Sequence, residues 1–388
     1  MKNFKMEVIM MYQYLIERMI MMGIEIPLAA ITSCAIAWLV INILIRNARK
    51  WNLMDQPNFR KEHKSPVPTL GGVGIFMGTV ISTAIWIGPA NLEIKCIIAA
   101  LFILFLTGVW DDLKDISASR KLFIQLLTAT GIAICGIRIE SLGGLFGIGE
   151  LPVVIQYALS VLIIAGITNA MNLLDGIDGL AGGIACLNSM LFSVLFAIDG
   201  EFVYSGLALI LAGSLLGFLR YNFNPAKIFM GDTGSLIIGF LMAVFAIKYL
   251  QVNTTSSARS LVIVYSICIL PVFDTLRVFL IRLLKGKSPF SADKSHIHHL
   301  LVKVGYDHRK SAILLYSTNV ILICTGFIFA YSGIKLLTAF ILLTGLAILF
   351  SELISVVRAK RINRRLSDLN ISMQTRFKKN YLLKKISA

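Results

Sequence analysis

An all-α, polytopic membrane protein with about eleven transmembrane helices, its N-terminus outside and its C-terminus cytoplasmic, is the fold class that three features of the sequence predict. Of 388 residues, 57% are hydrophobic and only 15% charged, with a mean hydropathy of +0.79. Apolar runs of spanning length recur along the whole chain. Lysine and arginine gather in alternate loops, as they do on the cytoplasmic side of membrane proteins. This composition excludes a soluble globule and leaves no room for a separate soluble domain.

The apolar runs lie near 24–45, 71–89, 94–110, 121–139, 152–171, 181–198, 202–219, 232–250, 259–281, 311–330 and 334–354. They divide the chain into an N-terminal arm (1–23), a transmembrane domain with a cytoplasmic-face site (24–357) and a basic cytoplasmic tail (358–388). The arm lacks a cleavable signal pattern, because Glu7, Glu17 and Arg18 interrupt its Met-rich stretch; it either lies at the interface or precedes a later start. Loops after odd-numbered spans hold Arg46 to Lys64, then Lys114 to Lys121, then Arg220 and Lys227, then Arg282 to Lys310. A net charge of +16 concentrated there suits anionic lipid head groups and anionic substrates, although topology alone explains most of it. The six cysteines are scattered one per span with no Cys-x-x-Cys pair, so the reading is apolar packing residues, neither zinc ligands nor disulfides.

Polar clusters punctuate the loops on that same face. The first loop ends in Gly71-Gly72, expected to start a span with exposed backbone N–H groups, and carries Lys61, His63 and Lys64 as phosphate-facing candidates. The third span ends in Trp110-Asp111-Asp112-Leu113-Lys114-Asp115. Adjacent carboxylates repel unless they share a cation or proton, so this cluster binds metal, holds a proton, or is simply hydrated at the membrane edge.

Between the fifth and sixth runs stands Asn169-Ala-Met-Asn172-Leu-Leu-Asp175-Gly-Ile-Asp178-Gly179, two amides and two carboxylates at a membrane surface. The bland reading is an Asn/Asp/Gly turn. Polar groups at that depth more often carry function. Further on, Asn222 and Phe229 precede Gly231-Asp232-Thr-Gly234, where Asp232 opens the eighth span as a carboxylate that can reach a metal while neighbouring N–H groups of the helix N-terminus face anionic phosphate; the plainer reading is a helix N-cap, and both can hold at once. Asp274 and Arg277 sit at i, i+3 and read as a structural intramembrane pair. His296, His298 and His299 follow in a basic loop. Zinc is one reading of three histidines, but no cysteine accompanies them and the cations favour an anionic diphosphate or sugar. Gly286-Lys287-Ser288 echoes a P-loop without its upstream glycine or strand, and is set aside.

Every dense polar cluster thus lies on one face, and magnesium-assisted chemistry on a phosphate or diphosphate uses all these parts. A membrane transporter is the competing class, but its sites lie at the midplane within paired repeats, and no repeat is visible.

Four ordered motifs, Asp111-Asp112-x-x-Asp115, Asn169-x-x-Asn172-x-x-Asp175-Gly-x-Asp178-Gly, Asn222-x-x-Pro225-Ala-x-x-Phe229-Met-Gly-Asp232-x-Gly-Ser and His296-x-His298-His299, resemble the polyprenyl-phosphate N-acetylhexosamine-1-phosphate transferase family over nearly the whole chain. The stretch Ser288-Pro-Phe-Ser-Ala-Asp293-Lys-x-His-x-His-His resembles the N-acetylglucosaminyl branch; the phospho-N-acetylmuramoyl-pentapeptide branch has three adjacent histidines where this chain interposes Ile297. The resemblance implies transfer of sugar 1-phosphate from a UDP-N-acetyl-sugar to undecaprenyl phosphate, releasing UMP, at the cytoplasmic face of the bacterial inner membrane. It implies Mg²⁺, with Mn²⁺ as a substitute, on Asp232 and Asp175. Asp111 and Asp112 would position or deprotonate the lipid phosphate. Asn172 would sit by the metal and diphosphate, Asp178, Asn222 and Phe229 would hold the uridine, and His296, His298 and His299 would meet the diphosphate and sugar. The expected partners are the two substrates and anionic membrane lipids, not nucleic acid, and a homodimer is compatible with this.

Overall fold

The computed structural model describes the backbone of residues 2–51, 54–55, 66–88, 91–253, 257–288 and 295–386, and side chains within 23–361 of those stretches. Lys61, His63, Lys64 and Asp293 lie outside the described residues. The chain runs α1 (Lys2–Asn47), a two-residue antiparallel pair β1 (Met54–Asp55) and β2 (Val67–Pro68), then α2 (Gly71–Trp86), α3 (Leu92–Lys114) and α4 (Ala118–Ile134). It continues through α5 (Val153–Leu174), α6 (Leu180–Ile198), α7 (Phe202–Asn222), α8 (Gly231–Val252), α9 (Ser257–Leu284), the short α10 (Ile297–Val304), α11 (His308–Tyr331) and α12 (Leu336–Ile386).

A helix occupies every predicted apolar run, and among the described residues nine are long and apolar enough to cross a membrane. The other two, α2 and α4, have 16 and 17 residues. All backbone hydrogen bonds inside such a segment are local, which is why apolar runs in lipid become helices. The outer helices present Ile31, Leu106, Phe123, Leu162 and Val194 outward, as lipid contact requires.

The bundle is built around α8, whose side chains are buried on nearly every face and which packs against α2, α3, α5, α6 and α9. Small residues permit the approach: a Cβ on Gly72 would overlap the backbone of Gly234, so α2 and α8 cross almost in contact. Between helices α6, α9 and α11, Asn188 donates to the Ile267 carbonyl at 3.1 Å and accepts from Asn319 at 2.8 Å. At the end of the bundle away from the polar loops, Glu93 accepts from Lys248 Nζ at 2.7 Å and from Tyr204, joining α3, α7 and α8.

Two expectations from the sequence fail here. Cys96 and Cys135 form a disulfide, with Cα atoms 6.6 Å apart. They are 39 residues apart in sequence, but α3 and α4 run antiparallel, which returns the end of α4 to the start of α3. The N–H groups of Gly71 and Gly72 are not exposed either: they donate to the carbonyls of Phe229 and Met230 at 2.8 Å each, docking the first loop on the entry to α8.

Candidate active site

The C-terminal ends of α3, α5, α7 and α9 and the N-terminal ends of α4, α6, α8 and α11 meet at one end of the bundle, and the motif residues lie there. The entry to α8 is held by a side chain from another helix. Asp112 Oδ1 accepts from the Asp232 N–H at 2.7 Å, and its Oδ2 accepts from the Thr233 N–H at 3.0 Å and the Thr233 hydroxyl at 2.6 Å. A carboxylate at a helix N-terminus satisfies orphan donors and meets the positive end of the dipole. The cap of α8 is therefore Asp112 and not Asp232, and the α8 N–H groups at Asp232 and Thr233 face a carboxylate instead of an open phosphate site. Gly231 makes room for it, with φ +72 and a position where a Cβ would press on the Asp112 carboxylate.

Freed from capping, the Asp232 side chain points to its neighbours. Lys121 Nζ, from the first turn of α4, lies 2.6 Å from Asp232 Oδ2 and also pairs with Asp111 Oδ2, while Asp111 Oδ1 accepts from the Ile116 N–H at 2.7 Å. Asn172 Nδ2 donates to Asp232 Oδ1 and, at 2.7 Å, to the Ser235 hydroxyl. Asp175 follows where α5 ends. Burial first, then the negative charge of Asp232, Asp112 and Asp178, pushes its carboxyl up to about 7.

Among the described residues no three His, Cys, Asp or Glu side chains form a closed metal cage. A cage is not what Mg²⁺ needs, since it commonly takes one or two carboxylates and completes its shell with water and phosphate oxygens. Asp111, Asp112, Asp175 and Asp232 gather here with Lys121 paired to two of them, and this set of hard carboxylate oxygens fits a divalent cation.

A second wall holds Asp178, Asn222 and Phe229. Asp178 Oδ1 lies 3.2 Å from His308 Nδ1, and its Oδ2 accepts from the Ala226 N–H at 3.0 Å. Asn222 is buried; it accepts from the Gly179 N–H at 2.8 Å and donates to the Ile228 carbonyl at 2.8 Å, so its side chain ties two loops together. Phe229 is half-buried beside it, and its backbone N–H donates to the Pro68 carbonyl at 2.8 Å.

The histidines form the third wall, on a helix where the sequence reading expected a loop. Ile297, His298, Leu300, Leu301 and Val304 are buried at helical spacing, which gives α10 its inner face. Asp274 fixes its start: Oδ1 accepts from the Ile297 N–H at 3.0 Å and from Arg277 at 2.9 Å, and Oδ2 lies 2.9 Å from His296 Nδ1. The intramembrane pair Asp274–Arg277 is thus present and also anchors the histidine helix. His298 is enclosed, and a Cβ on Gly176 would overlap its Nε2. Burial, helped by the neighbouring His299, pushes His298 down to about 3. Both ring nitrogens of His298 and Nε2 of His296 lack a hydrogen-bond partner among the described residues. Buried polar atoms without partners mark a place for a ligand.

Structure thus brings together Asp111, Asp112, Asn172, Asp175 and Asp232, and joins Asp178 to Asn222 through neighbouring loops. Two site residues escaped the sequence reading. Lys121 looked like one more positive-inside cation, and His308 stood alone at a helix start with no spacing to mark it. Between the end of α3 and the start of α4 opens an apolar cavity of about 320 Å³, lined by Trp110, Ile116, Ser119, Arg120, Phe123 and Ile124.

The glycosyl transferase family 4 profile matches residues 94–250, which hold three of the four motifs. A protein of Bacillus subtilis (strain 168) named "Probable undecaprenyl-phosphate N-acetylglucosaminyl 1-phosphate transferase" is 37% identical over 344 residues, 86% of this chain and 92% of the relative. The undecaprenyl-phosphate alpha-N-acetylglucosaminyl 1-phosphate transferase of Escherichia coli (strain K12) is 31% identical over 294 residues, 74% of this chain and 78% of its own. The protein of the same name in Salmonella typhi is 31% identical over 318 residues, 79% and 85% of the two chains.

Proposed function

This chain belongs to glycosyl transferase family 4, the family of the undecaprenyl-phosphate N-acetylglucosaminyl 1-phosphate transferases, and from that premise we propose that it transfers N-acetylglucosamine 1-phosphate from UDP-N-acetylglucosamine to undecaprenyl phosphate. An oxygen of the lipid phosphate attacks the phosphorus that bears the sugar. The bond from that phosphorus to the bridging oxygen breaks, and UMP leaves with the bridging oxygen. The product is the lipid-linked diphosphate sugar that begins a cell-surface glycan.

The observation that carries this reading is the placing of Lys121 between Asp111 and Asp232 at the end of the bundle where the motif residues gather. A prenyl tail suits the wall of Trp110, Ile116, Phe123 and Ile124, and its phosphate would go to the Lys121 ammonium. Positioning of two reactants and neutralisation of their charge account for most of phosphoryl-transfer catalysis. Asp112 sets the entry of α8 and so aims Asp232. Asp111 orients Lys121 and would position the lipid phosphate. Asp232 and Asp175, with Asn172 steadying Asp232, would hold Mg²⁺, which supplies charge neutralisation at the diphosphate when bound. Asp178 and Phe229 would receive the uridine, with Asn222 fixing the loops that carry them and His308 orienting Asp178. His296, His298 and His299 would meet the diphosphate and sugar, donating hydrogen bonds into the enclosed site. Basic loops on this side support a cytoplasmic active site in the bacterial inner membrane.

The test is UMP release by purified protein with Mg²⁺ and undecaprenyl phosphate, offered UDP-N-acetylglucosamine and UDP-N-acetylmuramoyl-pentapeptide in parallel. Turnover is expected with the first alone. Turnover with the second alone would overturn the sugar assignment, and release with neither would overturn the reaction.

A further inference from the structure

The loop that carries Asp178 is held by side chains from other helices. Gly179, the next residue, has φ +78, and a glycine there keeps its conformational freedom unless its neighbours remove it. Its N–H donates to Asn222 Oδ1 at 2.8 Å, and its carbonyl accepts from the Gly183 N–H at 2.8 Å, an α-helical bond at the start of α6. The same carbonyl accepts a second bond, from the hydroxyl of Tyr316 in α11, 137 residues away in sequence. Because the helical bond already satisfies the carbonyl, the hydroxyl fills no vacancy at the helix start. What it adds is a constraint on the residue that follows Asp178.

The seat for this tyrosine is built into α6. A Cβ on Gly183 would overlap the Tyr316 hydroxyl and ring, so the ring rests on the helix backbone itself. Glycine inside a helix is costly, and the ring it receives accounts for its place here. Contacts on either side of Tyr316 tie α11 to the same stretch. His308, about two turns earlier, lies 3.2 Å from Asp178 Oδ1, and Asn319, about one turn later, donates to Asn188 Oδ1 of α6 at 2.8 Å. α11 therefore runs along the Asp178 loop and the beginning of α6 as a brace, and Tyr316 is its middle contact.

We propose that Tyr316, seated on Gly183, is a positioning residue for the nucleotide: through Gly179 it fixes Asp178 and so sets the affinity for the uridine of the UDP-sugar, with no part in the transfer of the phosphoryl group. This role rests on the assignment of Asp178 to the uridine. Asp178 also keeps its contacts with His308 and the Ala226 N–H, so removing the tyrosine tie weakens nucleotide binding without abolishing it.

The test uses the full chain in detergent with Mg²⁺. Tyr316→Phe keeps the ring on Gly183 and deletes the hydroxyl; Gly183→Ala keeps the hydroxyl and displaces the ring. KM for UDP-N-acetylglucosamine and for undecaprenyl phosphate is measured by UMP release, and protection against thermal unfolding is measured with UMP and with undecaprenyl phosphate separately. Each variant should raise KM for the UDP-sugar about fivefold, the loss expected for one neutral hydrogen bond, and keep kcat and KM for the lipid within about twofold. Half-maximal protection should need about fivefold more UMP and no more undecaprenyl phosphate. Tyr316→Phe adds no atom, so it decides the matter should Gly183→Ala unfold. A rise in both KM values together, or a lower melting temperature with UMP protection intact, would make Tyr316 a structural residue only and overturn the proposal. Unchanged KM and UMP protection in Tyr316→Phe would overturn it as well, while leaving the uridine assignment standing. A wild type that neither releases UMP nor is protected by it would overturn the uridine assignment and the role of Tyr316 with it.

Discussion

The Lys121 ammonium lies 2.6 Å from Asp232 Oδ2, joining the first turn of α4 to the first turn of α8 across 111 residues of sequence. Its other partner, Asp111, ends α3, so one cation holds two carboxylates that would otherwise repel. Replacing it with Met keeps the length of the side chain and removes the charge. Lys121→Met should lower kcat for UMP release by on the order of 10² to 10³, the size of effect seen when one charge-stabilising donor is removed from an active site. Gel-filtration behaviour should be unchanged. Near-normal turnover would exclude Lys121 from the chemistry.

Asp112 and Asp232 should separate as a positioning residue and a working one. Asp112→Ala leaves two α8 N–H groups and the Thr233 hydroxyl without their acceptor, a cost of about 1–3 kcal/mol, so thermal unfolding should shift down by several degrees. Asp232→Asn caps nothing; it should keep its melting temperature and lose turnover. If the two variants were alike in stability, the assignment of the α8 cap to Asp112 would fail.

The helices were legible because lipid forces apolar runs of spanning length into one local conformation, whatever their neighbours. The carboxylates and histidines were legible because carboxylates, amides and imidazoles clustered at span ends need a reason that topology does not supply, and they stand in ordered motifs. Lys121 was hidden for the opposite reason: a lysine at a cytoplasmic span end is what topology alone requires, and only the packing of α4 against α3 and α5 turns it toward Asp232. An N-cap at Asp232 is what a local rule offers for Asp at a helix start, but the cap comes from Asp112, 120 residues earlier. His308 and the Cys96–Cys135 pair depend on tertiary neighbours in the same way, and no periodicity encodes those.

The acid response of the fold should carry the mark of His298. Its imidazole titrates near 3 in the folded chain and near 6.5 in the unfolded one. Above about pH 6.5 both states hold a neutral ring and the group costs nothing. Below it the unfolded chain takes up a proton that the enclosed ring refuses, so stability falls as pH drops toward 3. His298→Gln removes this contribution. Its melting temperature should fall less than that of wild type between about pH 6.5 and about pH 4, measured in the same detergent. Parallel curves for the two proteins would show that His298 is not enclosed as a neutral ring.

The disulfide offers a test of both pairing and orientation. Cys96 stands in the second turn of α3 and Cys135 caps α4, at the end of the bundle opposite the carboxylates, while Cys34, Cys186, Cys268 and Cys324 are free. If the carboxylates face the cytoplasm, the pair lies toward the oxidising side of the membrane, where such bonds persist. Denatured, unreduced protein should therefore take up four alkylating labels and reduced protein six, by intact mass. In cells, a single cysteine placed in the 140–151 loop, which joins α4 to α5 at that same end, should react with a membrane-impermeant maleimide added from outside. Six labels without reductant would refute the bond. A loop cysteine reached only from the cytoplasm would invert the topology and carry the proposed active site to the wrong face for a soluble UDP-sugar.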